Sequence, residues 1–416
     1  MRAFNSPAEI LETTRVVEHF LDSVKYDTQS NENCAECPST AKQLELGRHL
    51  VGVLREIGLE DVSMDENGYV LAELPGTEKG AVGFCAHLDT SPAFSGKNVQ
   101  PRLHQDYDGT PIQLENHVVI DPADCPELLE CRGDTIITSD GTTLLGADDK
   151  AGIAAILGLL EKLRSDASLK YPTIRICFNP DEEIGRGSHE FPMERFNVPV
   201  AFTVDGSFPG EINVETFSAD KAVVTFQGVA VHPGTAKGRM VNALTYMGKF
   251  LARLPMAESP ECTEKREGFF HPTDCAGDAA QCTVSVIIRD FDSAVVEQRG
   301  KRLSTMAESL TAEEPGLRVT VELQQQYRNM YEQLSQRPEI SRNLTRAVQA
   351  SGLAVRNEPV RGGTDGSQLT AKGLPTPNIF AGGVNFHGPR EWISTRALAL
   401  STCTLLNLVQ IHAEES

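Results

Sequence analysis

An α/β fold, with helices around a sheet and a smaller α+β domain set into the chain, is what this sequence predicts. Three observations carry the prediction. Apolar runs at 81–88, 173–178 and 198–204 read as buried strands, each opening onto acids or a histidine. Helical periodicity fills the stretches between and around them. From 214 to 325 the texture changes to alternating strands and two helices, and then the first pattern returns. At 416 residues the chain is long for one core. The expected division is therefore 1–213 and 326–416 for one domain and 214–325 for the insert.

Composition narrows the function classes. The chain is 40% hydrophobic and 23% charged, with 34 glycines and 23 prolines scattered rather than clustered, as in ordinary globular proteins. A formal net charge of −20 argues against nucleic acid or an anionic membrane as partner, since both need basic patches. Small cationic or zwitterionic substrates remain compatible with it. The start, Met1 to Glu9, lacks a signal peptide's apolar centre, and no later window nears the ~18 apolar residues of a membrane span. A cytoplasmic protein is expected, with its ten cysteines as free thiols. Cys34 and Cys37 have redox or zinc spacing, but no second pair accompanies them.

Taken in order, residues 7–25 place Ile10, Leu11, Val16, Val17, Phe20 and Leu21 at helical spacing. Residues 41–57 do the same with Leu44, Leu46, Leu50, Val53, Leu54 and Ile57, and stop at Gly58. Strands follow at 68–74 and 81–88, with Pro75 and Gly76 marking the turn. Residues 91–133, rich in Pro, Gly and Asp, read as loop with short strands. Asp148 and Asp149 stand just ahead of a helical run from Ile153 to Leu163, where helix capping accounts for one of them. Strands at 173–178 and 198–204 run into Asp181-Glu182-Glu183 and into Asp205. In the insert, strands are expected within 211–227, at 282–290 and at 317–324, and helices at 242–254 and 293–311. This is a β-α-β-β-α-β-like order. A helix at 337–351, a Gly-rich loop at 361–366, a strand at 376–381 and a C-terminal helix complete the chain.

The chemistry sits at the strand ends. In an extended segment residues i and i+2 share a side, so His87 and Asp89 face one site, either as a metal-ligating imidazole with its orienting carboxylate or as a satisfied structural histidine. His87, Asp148, Glu183, Asp205 and His387 together form a nitrogen and oxygen donor set that suits a pair of Zn²⁺, Mn²⁺ or Co²⁺ ions. Asp148 is the candidate for a shared carboxylate. Glu182 stands beside a ligand without sharing its direction, which frees it to act as general base. The bland alternative is that each is a solvated loop acid among 58.

The segments His87-Leu-Asp89, Gly146-Ala-Asp148-Asp-Lys-Ala-Gly152, Asp181-Glu182-Glu183-Ile-Gly185, Val204-Asp205-Gly206 and Phe386-His387-Gly388 resemble those of the M20 family of co-catalytic zinc peptidases. Ser95-Gly-Lys-Asn-Val99, Val231-His-Pro-Gly-Thr-Ala-Lys-Gly238, Ile288-Arg-Asp-Phe-Asp292 and Arg361-Gly-Gly-Thr-Asp-Gly366 are similar to its tripeptide-cleaving members. The resemblance covers nearly the whole chain, in order. It implies a zinc-peptidase catalytic domain with helices around a mixed sheet, interrupted by a lid domain. It also implies removal of the N-terminal residue from tripeptides by a water that two divalent ions activate, zinc first and cobalt or manganese as substitutes. Carried over by position, His87, Asp148 and Asp205 would hold one ion, and Asp148, Glu183 and His387 the other. Asp89 would orient His87, Glu182 would shuttle the proton, and the Asp148–Asp149 bond would be cis.

For the substrate, the resemblance suggests His232 at the oxyanion and Arg289 or Arg361 at the C-terminal carboxylate, helped by Lys237 and Asn242. The alternatives are a solvated loop histidine for His232 and an ion pair with Asp290 or Asp292 for Arg289. An open edge of the lid sheet offers a route to a homodimer. Phe386 stands where the family pattern has Tyr, and 31–37 and 100–133 match nothing in it. The competing readings are another M20-type hydrolase (dipeptidase, carboxypeptidase or N-acyl amino acid deacylase) and a non-catalytic metal- or peptide-binding protein. Dinucleotide binding fails, because Gly185-Arg-Gly187 lacks a third glycine.

Overall fold

The computed structural model describes residues 6–415. The reading of the N-terminus as lacking a leader falls in part on residues 1–5, outside the described residues. The chain divides into two compact units. One comprises Met1–Val214, Gln333–Glu358 and Thr364–Ser416, and the other Glu215–Glu332 and Pro359–Gly363.

In the first unit the helical stretch 7–25 is two helices, Pro7–Thr13 and Val16–Ser23, because Thr14 turns extended between them. Ser6 caps the first by accepting from Glu9 N at 3.2 Å. Helix Gln43–Ile57 ends at Gly58, whose φ of 99° is the left-handed stop that glycine supplies without strain. The sheet is mixed and eight-stranded. Its order is Asp61–Met64, Val70–Leu74, Thr173–Asn179, Ala81–His87, Ala201–Gly206, Asn378–Phe380, Glu211–Asn213 and Arg356–Asn357. Ala81–His87 runs parallel to both Thr173–Asn179 and Ala201–Gly206, so three carboxyl ends share one edge. Helix Ala147–Ser165 is buried along most of its length and packs with Val16–Ser23 and Thr395–Glu415 over Phe20, Ala151, Ala154, Leu398 and Cys403. Burial of a side chain such as Phe20 contributes roughly 1.5–3 kcal/mol. Gly152 lets this helix approach the strand that carries Asp205: a Cβ there would lie 1.9 Å from the carbonyl oxygen of Val204.

Residues 91–133 do hold short strands. Arg102–His104 pairs with Ile136–Thr138, and Ile112–Gln113 pairs with Val119–Ile120. They close over Tyr107, Ile112, Ile120, Leu128 and Trp392.

The second unit is an antiparallel sheet in the order Phe269–Gly277, Gln281–Asp290, Ser218–Gln227, Arg318–Tyr327. Helices Ala243–Ala252 and Ser293–Glu313 cover it around Phe226, Phe250, Val286, Leu303 and Leu310. Strand Phe269–Gly277 is absent from the sequence-based expectation. It is an edge strand, mostly exposed and broken in register between Pro272 and Asp274, so it carries neither an apolar run nor clean alternation. With it the order becomes a full β-α-β-β-α-β. All ten cysteines are free. Among the described residues no helix is long and apolar enough to cross a membrane.

Candidate metal centre

Parallel register brings the donors together. His87 is the last residue of its strand and pairs with Asn179, the last of the neighbouring strand. Beyond Asn179 a single 3₁₀ turn, Glu182–Ile184, carries Glu182 and Glu183. Asp205 is next to last in the third parallel strand. Asp148 lies in the first turn of the long helix, and His387 follows the strand Gly383–Val384 in a left-handed backbone position, φ 65°.

Asp148 lies at the middle of this group. Its Oδ1 is 2.8 Å from His87 Nε2, and its Oδ2 is 3.0 Å from His387 Nε2. His87 Nε2 is also 3.5 Å from Asp205 Oδ1, and His387 Nε2 is 3.0 Å from Glu183 Oε2. Asp149 supplies a capping bond, its Oδ1 accepting from Gly152 N three residues on at 3.2 Å, so capping accounts for one of the two aspartates, while Asp148 turns to the histidines. The helix is entered through Gly146, and both aspartates have non-helical backbone angles within its first turn. The peptide bond between them is cis.

Three further acids, all fully buried, hold this arrangement. Asp89 accepts from the backbone N–H of Glu182 at 3.0 Å and of Glu183 at 3.2 Å. Toward His87 it offers its main-chain oxygen, 3.0 Å from Nδ1, ahead of its carboxylate at 3.4 Å. Asp149 accepts from His87 N at 3.1 Å and Gly152 N at 3.2 Å. Asp181 accepts from Ser39 N, Ser39 Oγ and Gln43 Nε2, each at 2.6 Å. In the sequence Asp181 shows only its adjacency to Glu182, and Asp149 only its place beside Asp148 at a helix start.

Two groups of donors can each converge on one ion: His87, Asp149 and Asp205, and His87, Asp148 and Glu183. Asp149 already satisfies two backbone amides, so Asp148 is the better ligand of the adjacent pair. Donor atoms 2.8–3.5 Å apart are spaced as neighbours around one small dication with ~2.0–2.2 Å bonds. Glu183 Oε1 is buried and has no hydrogen-bond partner, a cost that a bound cation would remove. The electrostatics agree. Burial pushes the Glu183 carboxyl up to about 8 and that of Asp205 up to about 6, with the Asp148 charge adding to both. Burial also works against ionised Asp148, but hydrogen bonds from His387 and His87 overrule it and hold the group well below the usual range. Hydrogen bonds to Asp148 and Glu183 raise His387 to about 10. Such a concentration of carboxylates demands positive charge, which is what divalent ions carry.

The candidate substrate residues His232, Lys237, Asn242, Arg289 and Arg361 all lie in the second unit. His232 is exposed, and its Nδ1 accepts from Gly234 N at 3.1 Å. Asn242 caps helix Ala243–Ala252, its Oδ1 accepting from Leu244 N at 3.0 Å. Arg289 donates to the carbonyls of Ile288 and Asp220 and lies over the Tyr327 ring, with no ion pair to Asp290 or Asp292. Asp290 instead faces Arg299 at 3.4 Å. Arg361 spends four donor contacts on Thr263, Lys265 and Glu267 and stacks on Phe217.

Residues 140–411 match the model of peptidase family M20/M25/M40. A Peptidase T of Bacillus licheniformis is 46% identical over 407 residues, covering 97% of this chain and 99% of that protein. A Peptidase T of Bacillus subtilis is 47% identical over 384 residues, covering 91% and 94%. Among solved structures, the aminopeptidase PepT of Bacillus cereus shares the fold with a TM-score of 0.75 at 22% identity, over 95% of this chain and 98% of that one. The YXEP protein of Bacillus subtilis, described as a dinuclear metal binding peptidase, aligns with a TM-score of 0.65 at 16% identity, over 96% and 98%. With two imidazoles and a cluster of buried carboxylates gathered where three parallel strands end, and with relatives alike over nearly their whole length, the chain belongs to peptidase family M20/M25/M40.

Proposed function

We propose that this protein is a metal-dependent aminopeptidase that removes the N-terminal residue from tripeptides. The observation that carries the chemistry is the placement of Glu182. It stands next to Glu183 on the same turn, yet contributes to neither donor group. A site that only stored or carried metal would have no use for a half-buried acid held beside the ligands and left out of them. The substrate class comes from the Peptidase T relatives, to which the chain is alike over nearly its whole length.

On this reading His87, Asp148 and Asp205 hold one divalent ion, and Asp148, Glu183 and His387 the other. When bound, the ions supply Lewis acidity toward the scissile carbonyl and lower the pKa of a water. Glu182 takes that water's proton and later returns it to the departing amine. Burial and the neighbouring Asp205 charge push the Glu182 carboxyl well above its ordinary range, which suits a group that must both accept and give back a proton. Asp89 fixes the turn under Glu182. We assign the substrate's C-terminal carboxylate to Arg289, since Arg361 already spends four contacts on the Thr263–Glu267 segment, and keep His232 for the oxyanion. Asn242 contributes through its helix cap. Zinc as the resident metal, the cytoplasm as the compartment, and the open edges of the second unit's sheet as a route to a homodimer belong to the same reading.

The test is hydrolysis of one tripeptide beside its N-acetylated form, its C-terminal amide and the matching dipeptide, with zinc or cobalt and again after chelation. Chelator-sensitive release of the N-terminal residue from the free tripeptide alone is the expected result. Cleavage of the acetylated form alone would move the protein to the deacylases.

A further inference from the structure

Glu391 lies four residues beyond His387 and 243 residues from Asp148 in sequence, is 1% exposed, and belongs to neither donor group. Its Oε2 accepts from Leu145 N and from Gly146 N, both at 2.8 Å, and its Oε1 accepts from Asp148 N at 3.1 Å. These amides converge because Gly146 is left-handed, φ 84°, and curls the chain into a concave nest. No local side chain reaches these amides: Gly146 has none to offer, and the Asp149 carboxylate turns to the N–H groups of His87 and Gly152. Glu391 supplies from a distant segment the acceptors that a local cap would give. Glu391 is itself anchored: its N–H donates to Gly388 O at 3.2 Å, and the fully buried Trp392 that follows opens the strand Trp392–Ser394. One short segment therefore grips Asp148 twice, at the backbone N–H through Glu391 and at Oδ2 through His387.

We propose that Glu391 is a positioning residue for Asp148, setting the direction in which that carboxylate faces His87 and His387 and, through it, the affinity for divalent ions. The inference rests on the metal-centre part of the proposed function and is independent of its substrate. In Glu391→Gln an amide NH₂ must face either Asp148 N–H or the Leu145 and Gly146 pair, so the grip is lost on one side whichever way the side chain turns.

The experiment titrates metal-free protein with cobalt(II) and follows the visible absorption of the bound ion, in the wild type, Glu391→Gln, Glu391→Asp and Glu161→Gln. Glu161 is a hydrogen-bonded acid remote from the centre, paired with Arg15 and His19. Its variant is the control for loss of stability alone. Glu391→Gln should bind cobalt about 10–100-fold more weakly, with a changed band shape, while Glu161→Gln keeps both affinity and band shape. On tripeptide, kcat should fall in Glu391→Gln more than KM rises. A folded Glu391→Gln with wild-type affinity and spectrum overturns the proposal. If that variant does not fold, Glu391→Asp decides, since it keeps the charge but withdraws the carboxylate by ~1.5 Å: weakened binding supports the proposal and wild-type binding overturns it. Because cobalt is read on the protein alone, weakened binding in Glu391→Gln would support the inference even if the wild type cleaved no tripeptide, a result that would sink the substrate reading instead.

Discussion

The carboxylate of Asp89 accepts the backbone N–H of Glu182 at 3.0 Å, so a fully buried acid on one strand end holds the acid-bearing turn that follows its neighbour. Its second oxygen takes the N–H of Glu183 at 3.2 Å. Asp89→Asn puts an NH₂ against one of these N–H groups, and the turn must shift. We expect kcat to fall about 10–100-fold with the fold retained. Steady-state kinetics beside thermal unfolding checks this; an unchanged kcat would remove Asp89 from the supporting shell.

Glu182→Gln keeps the shape of the side chain and removes its basicity. Because Glu182 lies outside both donor groups, metal content should stay at the wild-type value while kcat drops by about 10²–10⁴. Elemental analysis and kinetics on the same preparation separate the two effects. Loss of metal in this variant would show Glu182 to be a ligand.

Stability in acid should depend on Glu161. Burial opposes its charge, but hydrogen bonds from His19 at 2.9 Å and from Arg15 N and Nε at 2.7 and 2.8 Å hold it at about 2. The folded pKa lies below the ordinary 4.5, so the stabilisation is complete above about pH 4.5 and is lost as pH falls through 2. It amounts to about 3 kcal/mol. Glu161→Gln should be less stable by roughly that amount at pH 7, and the gap should close toward pH 2 in denaturant titrations. A gap that does not change with pH would contradict this.

Gly187 has no room for a side chain. A Cβ would lie 2.3 Å from Asp365 Oδ2 and 2.7 Å from Asn179 Nδ2, where Asn179 donates to Asp365 in a buried pair. Gly187→Ala should therefore cost about 1–3 kcal/mol, the usual range for overpacking, and show as a lowered midpoint of unfolding. A midpoint within error of wild type would mean the pair can move aside at no cost.

Much of the site was legible in the chain because strands announce where they end. Apolar runs stopping at His87, ahead of Glu183 and at Asp205 place three candidate donors on one edge, and the motifs around Asp148 and His387 supply the rest. The edge strand Phe269–Gly277 was not legible, because an exposed strand carrying Pro272 and Asp274 has neither the apolar face nor the regular pairing that makes a strand visible.

The sequence by itself determined the candidate donors and most of the order of elements, since both follow from local pattern: side-chain periodicity, glycine stops and the chemistry of single residues. Only the tertiary structure decided which acid does which task. Asp148 and Asp149 are adjacent and chemically alike, yet one faces two imidazoles while the other turns to the amides of His87 and Gly152. Nothing in the sequence separates Glu391 from the other surface-type acids, because its partners at Leu145, Gly146 and Asp148 lie more than 240 residues away. A carboxylate's role is set by which donors reach it, and in a buried site those donors come from segments that only the packed fold brings together.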